Sequence, residues 1–97
     1  MGRTPRPRPQ RLPKKLLQIR LALELSQDGM LRRLGLHERL SRTSVSAYEL
    51  GTGEPPLQVL LDYARMANVW VDVLIDDSLD LPAKLPSAKK HEGVRRR

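Results

Sequence analysis

Apolar residues recur at helical spacing along most of this chain, and short runs of Gly, Pro, Ser and Asp separate the periodic stretches. Leu16, Ile19 and Leu23 form one stripe bordered by Arg20, which predicts a first helix over residues 14–25. Leu17 and Leu21 add a second ridge, suited to cover by the C-terminal segment or by a second subunit. Met30, Leu31 and Leu34 predict a second helix over Gln27–Leu34, with Ser26 as N-cap and Gly35 as stop. Asp28 suits the positive end of that helix, and Arg32 and Arg33 point outward. Gly29 is an awkward resident there, at about 1 kcal/mol relative to Ala.

The stretch Ser41–Gly51 predicts a third helix, Arg42–Leu50. The Ser41 hydroxyl can accept an unpaired N–H of the first turn, and Gly51 takes a left-handed stop without a Cβ penalty. Val45 and Tyr48 share the buried face, while Arg42, Thr43, Ser46 and Ala47 lie away from it. After the loop Gly51–Pro56, Leu57, Leu60, Leu61, Ala64 and Met66 or Ala67 predict a fourth helix over Leu57–Ala67, with Asn68 as its left-handed stop. A short fifth helix, Val71–Ile75, ends before Asp76, Asp77 and Asp80, which read as solvated acids, and Pro82 marks the domain's end. The pattern is that of an all-α, five-helix domain over residues 14–82.

The charge of +7 changes the picture because it is unevenly placed. Residues 1–15 carry six cations and no acid, residues 84–97 carry six against one, and the middle holds six arginines against ten acids. A slightly acidic body therefore carries two basic ends. Residues 1–13 alternate Arg with Pro5, Pro7, Pro9 and Pro13, which predicts an extended arm. Residues 83–97 have no periodicity and are expected to be a flexible tail. Basic ends on a small body point to a polyanion, and neither has the apolar face of a membrane anchor.

Chemistry is excluded more readily than it is found. The chain has no cysteine, so disulfides and thiolate metal sites are ruled out. His37 and His91 stand alone, and the three aspartates lack the loop glycine and glutamate of a calcium hand. Nothing groups a nucleophile with a base and an orienting acid, so neither catalytic residues nor a cofactor nor a metal is expected. No apolar run reaches spanning length and no signal-peptide pattern opens the chain, which suggests a cytoplasmic protein.

Two consecutive capped helices across a turn are laid out as a helix-turn-helix, with Gln27–Leu34 positioning and Arg42–Leu50 reading. Arg20, Leu25-Ser26-Gln27, Ser41 followed by Val45-Ser46-Ala47-Tyr48-Glu49-Leu50-Gly51, Pro55, Leu60-Leu61-Asp62-Tyr63-Ala64, Val69, Asp72 and Leu74 together resemble the Cro/phage-repressor (XRE) helix-turn-helix family. The resemblance covers roughly residues 14–77, and the Tyr-Glu-x-Gly ending of the third helix is its most specific part.

This resemblance implies a DNA-binding regulator, most simply a repressor, working as a homodimer on double-stranded DNA in a bacterial or phage-infected cytoplasm, at the nucleoid. Arg42, Thr43, Ser46 and Ala47 would meet base edges, and Gln27 and Ser44 would take backbone phosphates; the basic charge of the chain, apart from the resemblance, adds Arg32, Arg6, Arg8 and Lys14 as phosphate contacts. Arg20 and Glu49 stand where the family pairs the first and third helices by an ion bridge. Three departures bear on this. Thirteen residues separate Gln27 from Ser41, so either the second helix extends or the turn bulges around His37–Leu40. Pro56 and Trp70 stand where helix caps are expected, with Trp70 assigned to the domain's bottom or a dimer seam. Ala47 offers only a methyl, for a thymine methyl. The alternative reading is a DNA-binding antitoxin or protein-interaction module, with a toxin or other protein as partner.

Overall fold

Five helices follow one another in the computed structural model, which describes residues 8–86: α1 (Leu12–Ala22), α2 (Gln27–Arg33), α3 (Arg42–Leu50), α4 (Leu57–Ala67) and α5 (Val71–Ile75). No strand occurs among the described residues, and the fold is all-α. Leu16, Ile19, Met30, Val45, Tyr63, Ala67 and Leu74 are fully shielded, so every helix contributes to one core.

Helix α1 departs most from its expected limits. It starts at Leu12 instead of residue 14, since Pro13 falls in the first turn, where a missing N–H costs nothing. Leu12 is itself core, so the end of the expected arm is folded into the domain. The helix stops at Ala22, not 25, because Glu24 turns the chain at φ +59° while its N–H and that of Leu25 return to the carbonyls of Leu21 and Arg20. The Leu17–Leu21 ridge divides: Leu17 is half-buried and Leu21 exposed.

The Ser26 hydroxyl caps α2, accepting the Gly29 N–H at 2.9 Å. A Cβ on Gly29 would stand 3.1 Å from that oxygen, so the awkward glycine leaves room for the cap. The helix ends one residue earlier than expected, with Leu34 as C-cap. The long connection to α3 is the bulge alternative, not an extended helix. Gly35 turns at φ +76°, and one helical turn follows, closed by the Leu40 N–H on the Leu36 carbonyl at 2.8 Å. Ser41 occupies the N-cap position of α3 in extended conformation, but its hydroxyl makes no capping bond among the described residues. The Ser41 carbonyl takes the Ser44 N–H instead.

At its other end α3 stops at Gly51, φ +83°, where a side chain would also press on Pro13 at 3.3 Å. The start of α1 thus lies on the end of α3. Helix α4 buries Val59, Leu60, Tyr63, Ala64 and Ala67 and ends at Asn68, φ +58°. Leu57, expected on its buried stripe, is 84% exposed, so that stripe begins two residues later.

A polar clasp ties the start of α1 to the end of α5. The Gln10 and Arg11 N–H groups donate to the Asp77 carboxylate at 2.9 and 3.0 Å, and Arg11 pairs with Asp80. These backbone donors hold Asp77 below the usual carboxylate range. Lys15, 1% exposed, donates to the carbonyls of Val73 at 2.7 Å and Asp76 at 3.1 Å. Burial, with Arg11 nearby, lowers its ammonium pKa, and the three aspartates oppose the shift. The aspartates are therefore not merely solvated, as their sequence suggested. Asp77 takes the Gln10 and Arg11 N–H groups just ahead of α1, Asp80 holds Arg11, and Asp76 takes the Ser78 N–H and hydroxyl. Past the clasp, Leu81 and Leu85 pack on the core, so the first residues assigned to a flexible tail are seated. The remainder of that tail, from residue 87, lies outside the described residues.

One core group is badly served. The Tyr63 hydroxyl is buried without a hydrogen-bond partner among the described residues, and burial pushes its ionisation far above the ordinary tyrosine value. An unpaired buried hydroxyl costs about 1–3 kcal/mol. Tyr63→Phe is therefore expected to be neutral or to stabilise by about 1 kcal/mol, where a tyrosine with a satisfied hydroxyl would lose stability. Chemical denaturation of the two proteins checks this.

Candidate nucleic-acid interface

Helix α3 has one flank fastened and one open. Val45 and Tyr48 enter the core, and Glu49, next along, faces α1. Arg20 meets Glu49 through two parallel bonds, Nε to Oε2 at 2.7 Å and a terminal nitrogen to Oε1 at 3.0 Å. Its other terminal nitrogen donates to the Leu25 carbonyl at 3.0 Å. The pair is well shielded, with side-chain exposures of 14% and 5%. The hydrogen bonds to Glu49 raise the Arg20 pKa against the cost of burial. This is the α1–α3 bridge that the resemblance implied, in bidentate form.

The structure distributes the expected base-reading residues unevenly. Arg42 and Thr43 are exposed at the start of α3, while Ser46 and Ala47 are half-buried. Ala47 is turned toward the α3–α4 loop: its carbonyl accepts the Thr52 and Gly53 N–H groups, and a Cβ on Gly53 would come within 3.1 Å of its methyl. A side chain there would press on that methyl, and the loop would have to give by a few tenths of an ångström. The loop thus shares the face assigned to Ala47. Leu50, which the sequence did not single out, is 73% exposed at the end of the helix. Its place after buried Tyr48 and shielded Glu49 was the available signal.

Of the expected phosphate ligands, Arg32 and Lys14 are exposed and Ser44 is half-buried. Gln27, expected on a phosphate, donates its amide nitrogen to Glu49 Oε1 at 3.2 Å, so in this structure the side chain leans on the α1–α3 bridge. Arg8 lies 3.8 Å from Glu54, beside the loop after α3, and Arg6 lies outside the described residues. Trp70, assigned to packing at the domain's bottom or a dimer seam, is 82% exposed, so none of the described residues covers it.

A groove of about 330 Å³ opens between α2 and the start of α3, lined by Asp28, Leu31, Arg32, His37, Leu40, Ser41 and Arg42. Arg32 and Arg42 flank it, and Asp28 stands 3.7 Å from the Arg42 guanidinium. Chemically the region can offer fixed cations and hydroxyls to an anionic, hydrogen-bonding surface. No group of His, Asp and Glu able to hold a metal occurs among the described residues, and none of their helices is long and apolar enough to cross a membrane. No family model, curated protein or solved structure matches this chain.

Proposed function

We propose that this protein is a sequence-specific DNA-binding regulator of the Cro/phage-repressor kind, most simply a repressor, which reads the major groove with α3. The observation that carries this reading is the asymmetry of α3. A shielded bidentate pair and two core side chains fix its inner side, while Thr43 projects from the open side and Arg42 stands exposed in the first turn. A rigid helix with a free polar edge is what direct readout of base edges needs, since a mobile helix would lose discrimination to entropy.

Arg42 takes the role of a bidentate guanine reader, with Thr43 and Ser46 beside it, and Arg32 and Lys14 supply phosphate contacts. A homodimer on a two-fold site follows the same reading, and Trp70, exposed among the described residues, is its contact candidate. Selection from a pool of randomised duplexes tests the function. The wild-type protein is expected to enrich a defined sequence. Arg42→Ala is expected to relax one position of it by about 1–3 kcal/mol, roughly 5- to 150-fold, with the rest of the preference intact. Equal affinity for every duplex would refute specific readout.

A further inference from the structure

We propose that Asp28 is a specificity-determining residue, which positions Arg42 for a guanine edge without itself touching a base. The inference rests on the DNA-binding reading above and goes one step into its geometry. Asp28 lies in the first turn of α2 and Arg42 in the first turn of α3, so the pair bridges the two helices across the mouth of the groove between them. Their charged ends stand 3.7 Å apart, and both side chains are largely open, at 60% and 70%. An exposed pair of this kind adds little to fold stability. Its value lies in what it does to the arginine.

A free arginine samples many rotamers and loses that freedom when it grips a base. A carboxylate beside the guanidinium narrows the choice beforehand and leaves the remaining N–H donors in their planar fork, ready for the O6 and N7 acceptors of guanine. The carboxylate also repels the phosphate backbone, so Arg42 is held at the groove instead of collapsing onto a phosphate. Nothing else among the described residues competes for this task. Gln27, the neighbouring polar side chain, is bonded to Glu49. The other cation at the groove's mouth, Arg32, sits on α2 with Asp28 and makes no ion pair toward α3 among the described residues.

The prediction separates orientation from charge. Asp28→Asn removes one negative charge near DNA, so affinity for random-sequence duplex should hold or rise. Preference for guanine at the Arg42 position should nevertheless fall about tenfold. Asp28→Glu, which keeps the carboxylate, should recover most of that preference. Thermal unfolding of both variants should match the wild type within about 3 °C, since the pair is exposed. The test is selection from randomised duplexes by wild type, Asp28→Asn, Asp28→Glu and Arg42→Ala, with melting curves for each. Retention of the full guanine preference by Asp28→Asn overturns the proposal. So does an Arg42→Ala protein that selects the same site as wild type. A wild-type protein that enriches no sequence overturns the DNA-binding reading itself, and this inference with it.

Discussion

Glu49→Ala is expected to lose about 3–5 kcal/mol of folding stability, the usual cost of stripping one partner from a buried ion pair. The side chains are 14% and 5% exposed, so water cannot replace what the substitution removes. Two Arg20 donors and the Gln27 amide would lose their acceptor together, while the guanidinium stayed charged between α1 and α3. Domains of this size hold about 5–15 kcal/mol in all, so the variant should melt far earlier or fail to fold. Replacing both partners, Arg20→Met with Glu49→Leu, should cost much less, because no uncompensated charge remains. A double-mutant cycle followed by urea denaturation checks both statements. A Glu49→Ala variant within about 0.5 kcal/mol of wild type would mean that the pair does not hold α3 in place.

The second large effect is expected at Lys15. Lys15→Ala should cost about 2–4 kcal/mol, from two carbonyls left without their donor and from lost packing of the aliphatic stem. The carbonyls of Val73 and Asp76 belong to the end of α5, a helix of five residues that has little stability of its own. Lys15→Met keeps most of the stem and loses only the donors, so it should fall between wild type and Lys15→Ala. Hydrogen exchange should show the loss first at the Asp76 amide, which bonds the Asp72 carbonyl in α5's last turn. Unchanged protection there would show that α5 is held by its apolar contacts alone.

Much of the fold was legible because its signals are local. Helices α3, α4 and α5 have the limits that their caps and periodicity predict, since Gly51 and Asn68 are stops a chain can hardly ignore. What escaped depends on residues distant in sequence. Lys15 reads only as one of the six cations of the basic N-terminal end until the Val73 carbonyl, 58 positions away, is brought beside it. Asp77 reads as a surface acid until the Gln10 and Arg11 amides, just ahead of α1, arrive to donate to it. Glu24 is no usual left-handed stop, so only the folded chain reveals that α1 ends early.

The candidate interface divides along the same line. Exposure of Thr43 follows from helical phase against Val45 and Tyr48, and that of Arg42 from its place at the very start of α3, both of which the sequence contains. Closure of the Gly53 loop on Ala47, the inward lean of Gln27 and the approach of Asp28 to Arg42 do not. Each depends on how a neighbouring loop or helix packs, which periodicity does not encode.

The central claim is that the open flank of α3 meets DNA, and a single charge at the front of that flank tests it most directly. Thr43 is exposed in the first turn of α3, where a carboxylate also complements the helix dipole, so Thr43→Glu should fold at least as well as wild type. The same carboxylate would face phosphates and base edges, where like charges cost several kcal/mol. Equilibrium binding to the selected duplex at fixed salt should fall on the order of 100-fold or more with no loss of melting temperature. A folded Thr43→Glu protein that binds that duplex as tightly as wild type would contradict the claim.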